Sequence, residues 1–161
     1  MKQQNLTIRR AVQADIPRLN ELLRQVLELH HQGRPDLFLT GRKKFTDPQL
    51  QAILADQNQP VLVAADAQGQ VIGYAFCQLQ QRVGHNILTD IKTFYLEDLC
   101  VDERARAQGV GQQLLDAVTA LAREKGCYNL ALNVWACNEG ALAFYEKNGM
   151  RPQKIGLEKI L

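Results

Sequence analysis

The sequence lacks any apolar run near the roughly 20 residues that span a bilayer. Its opening, MKQQNLTIRR, has no apolar core of the kind an export signal needs. Neither sign of charge dominates: 19 Lys and Arg stand against 17 Asp and Glu, a net charge of +2. That balance excludes a nucleic-acid binder held by bulk charge, so any anion must be held by a local site. There is no CxxC pair. Cys77, Cys100, Cys127 and Cys137 are too scattered for a zinc knuckle or a dithiol motif, and no metal site is expected. Three of them lie in apolar runs and read as buried thiols, which suits a cytoplasmic setting. Internal repeats and low-complexity tracts are missing too. What remains is an ordinary globular composition, 46% hydrophobic and 22% charged, in 161 residues that suit one domain.

Periodicity supplies the elements. LTIRRA (6–11) alternates and predicts a strand. Asp15 and Pro17 start a helix whose apolar residues recur from Ile16 to Leu29 and which fades by Gly33. GRPDLFLTG (33–41) is a loop, and Asp47-Pro48 opens a second helix through about Asp56. Residues 60–82 read as a hairpin turning at Ala67-Gln68-Gly69, and TFYLEDLCV (93–101) as a further strand. A helix over Gly109–Lys125 stops at Gly126. A strand at 129–135 and a helix from Asn138 to Asn148 follow, and a short strand pair is expected at 151–161. The fold class is therefore α/β with α+β character. Antiparallel strands lead into a strand–helix–strand crossover, giving a mixed sheet with helices on both faces.

RARAQGVGQQLL (104–115) falls between the strand ending at Val101 and the next helix. A helix N-terminus presents unpaired N–H groups and about half a positive charge. Gly109 and Gly111 allow close approach of a ligand, and Arg104 and Arg106 add full charges. A pyrophosphate suits such a place. Neither the three-glycine dinucleotide fingerprint nor the GxxxxGK[ST] phosphate loop is present, and a solvated turn is the plain alternative.

LEDLCVDERARAQGVGQQLL resembles the acetyl-CoA-binding core of the GCN5-related N-acetyltransferase (GNAT) superfamily, whose (Arg/Gln)-x-x-Gly-x-(Gly/Ala) motif is matched by Arg106, Gly109 and Gly111. NVWACNEGALAFYEKNGM is similar to its second signature. Ala107 stands where many members have glycine. The resemblance implies a GNAT fold, a central and mostly antiparallel sheet with a β-α-β core. It implies that the N–H groups of Gln108, Gly109, Val110 and Gly111 hold the pyrophosphate of acetyl-CoA. It further implies that Leu99 and Val101 offer main-chain hydrogen bonds to the pantetheine arm, with Cys100 between them facing the other way. Members often pair through strands, which suggests a homodimer.

Acetyl transfer to an amine needs a proton taken from the amine and one given to the thiolate. The resemblance makes Tyr145 the acid, with a core aromatic as the alternative. Asn138 caps its helix and is a second candidate contact for pantetheine. Glu97 is the base candidate because a carboxylate within an apolar strand is costly unless partnered. Alternation puts Tyr95, Glu97, Leu99 and Val101 on one face and Asp98 on the other. Glu97 can equally bind a cationic substrate, and Asp98 can take that part. YLEDLCV is similar to the spermidine/spermine and thialysine acetyltransferase branch, which suggests a polyamine or other small amine. Phe38, Asp36 and Arg34 lie in the loop that walls the acceptor site in the superfamily. Acyl transfer through Cys100 is the rival chemistry, and a buried strand thiol its plain alternative. His30 and His31 point about 100° apart on a helix and read as its solvated end rather than metal ligands. The reading is an N-acetyltransferase acting on a small-molecule amine by direct attack. Acetylation of a protein or peptide amine, and a non-catalytic acyl-CoA-binding module, are the alternatives.

Overall fold

Apolar alternation lays out a sheet of order β1-β2-β3-β4-β5 in the computed structural model, which describes residues 5–161. The first residues of MKQQNLTIRR, weighed above as an export signal, lie outside the described residues. The strands are β1 (Thr7–Arg10), β2 (Val61–Ala65), β3 (Val71–Gln81), β4 (Lys92–Val101) and β5 (Asn129–Ala131). The helices are α1 (Ile16–Gly33), α2 (Asp47–Ala55), α3 (Val110–Glu124) and α4 (Glu139–Lys147). Strands β1 to β4 pair antiparallel in sequence order, and β4 pairs parallel with β5 through the α3 crossover. This is the expected mixed, mostly antiparallel sheet.

Each face of the sheet carries its own core. Val61, Val63, Tyr74, Phe76 and Cys100 pack with Leu19, Leu22, Leu23 of α1 and Leu50 of α2. Leu62, Ala64, Ile72, Ala75, Phe94 and Leu96 pack with Val110, Leu114, Leu115 and Val118 of α3. Strand β2 is VLVAA, buried throughout, because both faces are covered. Each fully buried Leu or Val is worth about 1.5–3 kcal/mol relative to exposure. Helix α2 begins at a reciprocal cap. The Gln49 N–H donates to Thr46 Oγ1 at 3.3 Å, and the Thr46 N–H to Gln49 Oε1 at 2.8 Å.

Two expectations at the C-terminal end change. Strand β5 stops at Ala131 instead of running to 135, because its partner β4 bends away two residues past their last pairing, Tyr95 with Ala131. The strand pair at 151–161 does not form. This stretch has no regular structure and is exposed throughout, Ile155, Leu157, Ile160 and Leu161 included.

Asp15 starts α1 in an unexpected way. Its carboxylate does not cap the helix but turns back. It accepts from Arg9 Nη1 and Nη2 at 2.7 and 2.9 Å and from the Val12 N–H at 2.8 Å. Hydrogen bonding from Arg9 holds this buried carboxyl below the usual carboxylate range. Folding lowers the pKa, so the stabilisation is full above the unfolded value near 3.9 and is lost as pH falls through the lower folded value. Asp15→Asn should cost about 1.5–3 kcal/mol at pH 7. Denaturant unfolding should show that deficit shrinking once the pH drops below about 4. A deficit that stays constant down to acid pH would contradict the pairing.

Candidate active site

The site begins with a register shift. Phe76 pairs with Asp98, but Cys77 pairs with Leu96, so Glu97 has no partner across the β3–β4 ladder. An unpaired residue of this kind bends its strand and resets the alternation of faces. Phe94 and Leu96 face α3 before the shift, and Leu99 and Val101 pack on that same cluster after it. Tyr95 and Leu99 therefore lie on opposite faces, contrary to the expected single stripe of Tyr95, Glu97, Leu99 and Val101. Glu97 and Asp98, expected on opposite faces, both reach Lys44 of the α1–α2 loop, at 3.7 and 3.6 Å.

The bend also frees an edge. Strands β4 and β5 pair only over Thr93–Tyr95 and then diverge. The Asp102 N–H donates to Ile72 O at 2.8 Å, which fixes the phase of the ladder. By alternation, Cys100 and Asp98 give their main chains to β3, and Leu99 and Val101 turn theirs toward the gap. Cys100 thus keeps no main-chain group for a ligand. Its thiol lies 3.7 Å from Leu22 O on the α1 side, and burial pushes it up to about 12.

Next to this edge stands the N-terminus of α3. Gln113 N–H makes its first helical bond, to Gly109 O at 3.1 Å. The N–H groups of Val110, Gly111 and Gln112 precede that bond and have no helical acceptor. No side chain caps this end, whereas Thr46 caps α2 and Asn138 caps α4 by accepting from the Ala141 N–H at 3.2 Å. The preceding turn is left-handed at Ala107 (φ 60°) and Gly109 (φ 80°). For Ala107 this costs about 1–2 kcal/mol; a glycine would adopt it freely. Gln108 Nε2 donates to Arg104 O at 3.4 Å, and Arg106 Nε to Val101 O at 3.3 Å. Arg104, Arg106 and Gln108 are all exposed. A Cβ added at Gly111 would meet Phe144 and Val101 at 3.6 Å. The arrangement fits a diphosphate at the helix end with an extended arm running along β4.

The other side of the gap is polar and aromatic. Asp98 Oδ2 accepts from the buried Tyr74 hydroxyl at 2.9 Å, and Glu97 Oε2 from Gln78 Nε2 at 3.1 Å. Phe38 packs tilted against His30, ring centroids 4.9 Å apart, and meets Trp135 edge-on at 5.2 Å. His30 is half-buried rather than solvated. Burial pushes its imidazole below the ordinary range, against the pull of Asp98. Asp36 is exposed and held by Arg34 at 2.8 Å, and Arg34 also pairs with Glu158. Tyr145 packs on the α3-side core and edge-on to Phe144 at 5.1 Å. Burial holds its phenol above the usual range, and Asp98 lies close enough to add to the rise. The phenol is therefore protonated at neutral pH. Among the described residues, no group of three His, Cys, Asp or Glu side chains could hold a metal ion.

Lys44, Tyr74, Gln78 and Trp135 escape the sequence reading, and His30 is read there only as a solvated helix end. His30 had a signal, since it extends the Leu19, Leu22, Leu23, Val26 stripe by one turn. Lys44 had none, because an irregular loop carries it.

This helix end beside a splayed parallel pair defines an acyltransferase of the GNAT type. The chain matches the acetyltransferase (GNAT) family over residues 23–150 and belongs to that family. It is an acetyl-CoA-dependent N-acetyltransferase. The uncharacterized N-acetyltransferase YhfO of Bacillus subtilis is 29% identical over 144 residues, covering 89% of each chain. Glucosamine 6-phosphate N-acetyltransferase 1 of Oryza sativa subsp. japonica is 32% identical over 148 residues, 85% of this chain and 79% of that one. The solved tetramutant of the BH1408 protein of Bacillus halodurans superposes with a TM-score of 0.92 at 31% identity, covering 96% of this chain and 99% of that one.

Proposed function

We propose that the protein moves an acetyl group from acetyl-CoA to a primary amine of a small, cationic molecule, by direct attack with both substrates bound. The observation that carries this is the carboxylate pair Glu97 and Asp98 at the bend of β4, next to the edge that suits the acyl donor. The paired carboxylates favour a cationic acceptor, and the His30–Phe38–Trp135 wall offers a surface for its carbon stem. The rice relative acts, by its name, on an amino sugar, which agrees with a small acceptor.

Acetyl-CoA supplies an activated thioester. The N–H groups from Gln108 to Gly111, with Arg106, take its diphosphate, and Leu99 and Val101 align its arm. Asn138 spends Oδ1 on the α4 cap and keeps Nδ2 for that arm. An amine with pKa about 10.4 arrives as an ammonium and cannot attack until it loses a proton. Glu97 takes that proton, held toward the cleft by Gln78. Asp98, fixed by Tyr74, binds the cation. Tyr145, kept protonated by burial, gives a proton to the departing sulfur. A thiol at about 12 is a poor nucleophile at neutral pH, which favours direct attack over an acyl group carried on Cys100.

The chain is further read as a single catalytic domain in the cytoplasm. Cys77, Cys100, Cys127 and Cys137 are all unpaired, which agrees with a reducing compartment. Cys77 and Cys100 are buried as expected, Cys127 partly so, and Cys137 is exposed. The exposed apolar residues of 151–161 support a homodimer in which a second copy covers them.

Tyr145→Phe should lower kcat about 100-fold and leave the affinity for coenzyme A within about twofold. Glu97→Gln should move the pH–rate profile to higher pH, where more of the amine is already neutral. Steady-state kinetics matching the wild type in both variants would contradict these roles. In sedimentation, the full chain should run as a dimer and the chain ending at Met150 as a monomer; equal oligomeric states would exclude the tail as the contact.

A further inference from the structure

We propose that Lys44 is itself an acceptor, and that the protein acetylates it when no small amine fills the cleft. The proposal rests on reading Glu97 and Asp98 as the amine-binding pair. Lys44 Nζ is a primary amine resident at that pair, 3.7 Å from Glu97 Oε1 and 3.6 Å from Asp98 Oδ2. Both separations exceed hydrogen-bond length, so charge holds the ammonium there while no fixed hydrogen bond anchors it. Its nitrogen lies 5.3 Å from the centroid of the Phe45 ring. The residue belongs to the irregular stretch between α1 and α2, so its reach is not fixed by a helix or strand. Lys43, next in the chain, turns elsewhere and pairs with Asp47 at 3.2 Å. One of two adjacent lysines therefore occupies the proposed acceptor position and the other does not.

The step balances as it does for a free amine. Nζ gives one proton to Glu97, which passes it on to solvent; it forms a bond to the acetyl carbon and sheds a second proton to solvent. The carbon–sulfur bond breaks and its electron pair stays on sulfur. Tyr145 protonates that sulfur and recovers its proton from solvent. The sum is acetyl-lysine, coenzyme A as the thiol, and one released proton. Acetylation removes the Lys44 charge and leaves Glu97 and Asp98 unpaired and open to a cationic acceptor.

Peptide mass spectrometry of the whole protein, incubated with acetyl-CoA alone, tests this. With that donor, Lys44 should be acetylated roughly tenfold or more faster than Lys43, as expected when one nitrogen is held near the thioester. With acetyl phosphate, which has no nucleotide to bind, the two lysines should react at similar rates. Lys44→Arg should abolish the fast modification. A parallel assay follows thiol release with spermidine, thialysine and glucosamine 6-phosphate. Thiol release with any of these amines, while Lys44 reacts no faster than Lys43, would overturn this proposal and leave the proposed function standing. Failure of both the amines and Lys44 to react would overturn the two together.

Discussion

Glu97, left unpaired between the Phe76–Asp98 and Cys77–Leu96 pairings, decides which way every later residue of β4 faces. Without it, strict alternation would send Glu97 and Asp98 to opposite sides and put Leu99 out of phase with the α3-side core. With it, both carboxylates meet one lysine on the α1–α2 side, and the phase of the last residues presents Leu99 and Val101 to the gap. The same bend ends the pairing with β5 after three residues, so beyond Tyr95 this edge has no strand partner among the described residues, and the Val101 carbonyl accepts from Arg106 Nε. The carboxylate pair and the open strand edge thus trace to one insertion in one strand.

The second constraint is electrostatic. Helices α2 and α4 satisfy their first N–H groups with Thr46 and Asn138, but α3 does not. Helix α1 also starts without a side-chain cap, but α3 alone follows a left-handed turn that costs Ala107 about 1–2 kcal/mol, and its open end leaves donors of the kind that suit an anion. The core on both faces supports this expense: the buried Val110, Leu114 and Val118 of α3 lock the helix against β2, β3 and β4 and so fix where its open end points.

Most of the architecture was legible in the sequence because it is written in local periodicity. The order of strands and helices, the parallel crossover and the glycine-bearing helix start all follow from apolar spacing and from glycines where φ is positive. The bulge was not legible. Nothing in YLEDLCV marks an extra residue, since the shift depends on how β3 meets β4, a contact between distant segments. The same limit hid Lys44 and Trp135, which reach the cleft from irregular chain. The stretch 151–161 failed for a different reason: its alternation is strand-like, but a strand needs a neighbour, and it has none within the described residues.

Amide hydrogen exchange along β4, with and without coenzyme A, tests the central claim most directly. In the free protein the Cys100 amide, bonded to β3, should exchange slowly, while those of Leu99 and Val101 exchange fast. Coenzyme A should slow Leu99 and Val101 together with the amides of residues 109–111, and leave Cys100 unchanged. Slow exchange at Leu99 and Val101 before the ligand is added, or no change on adding it, would contradict the account.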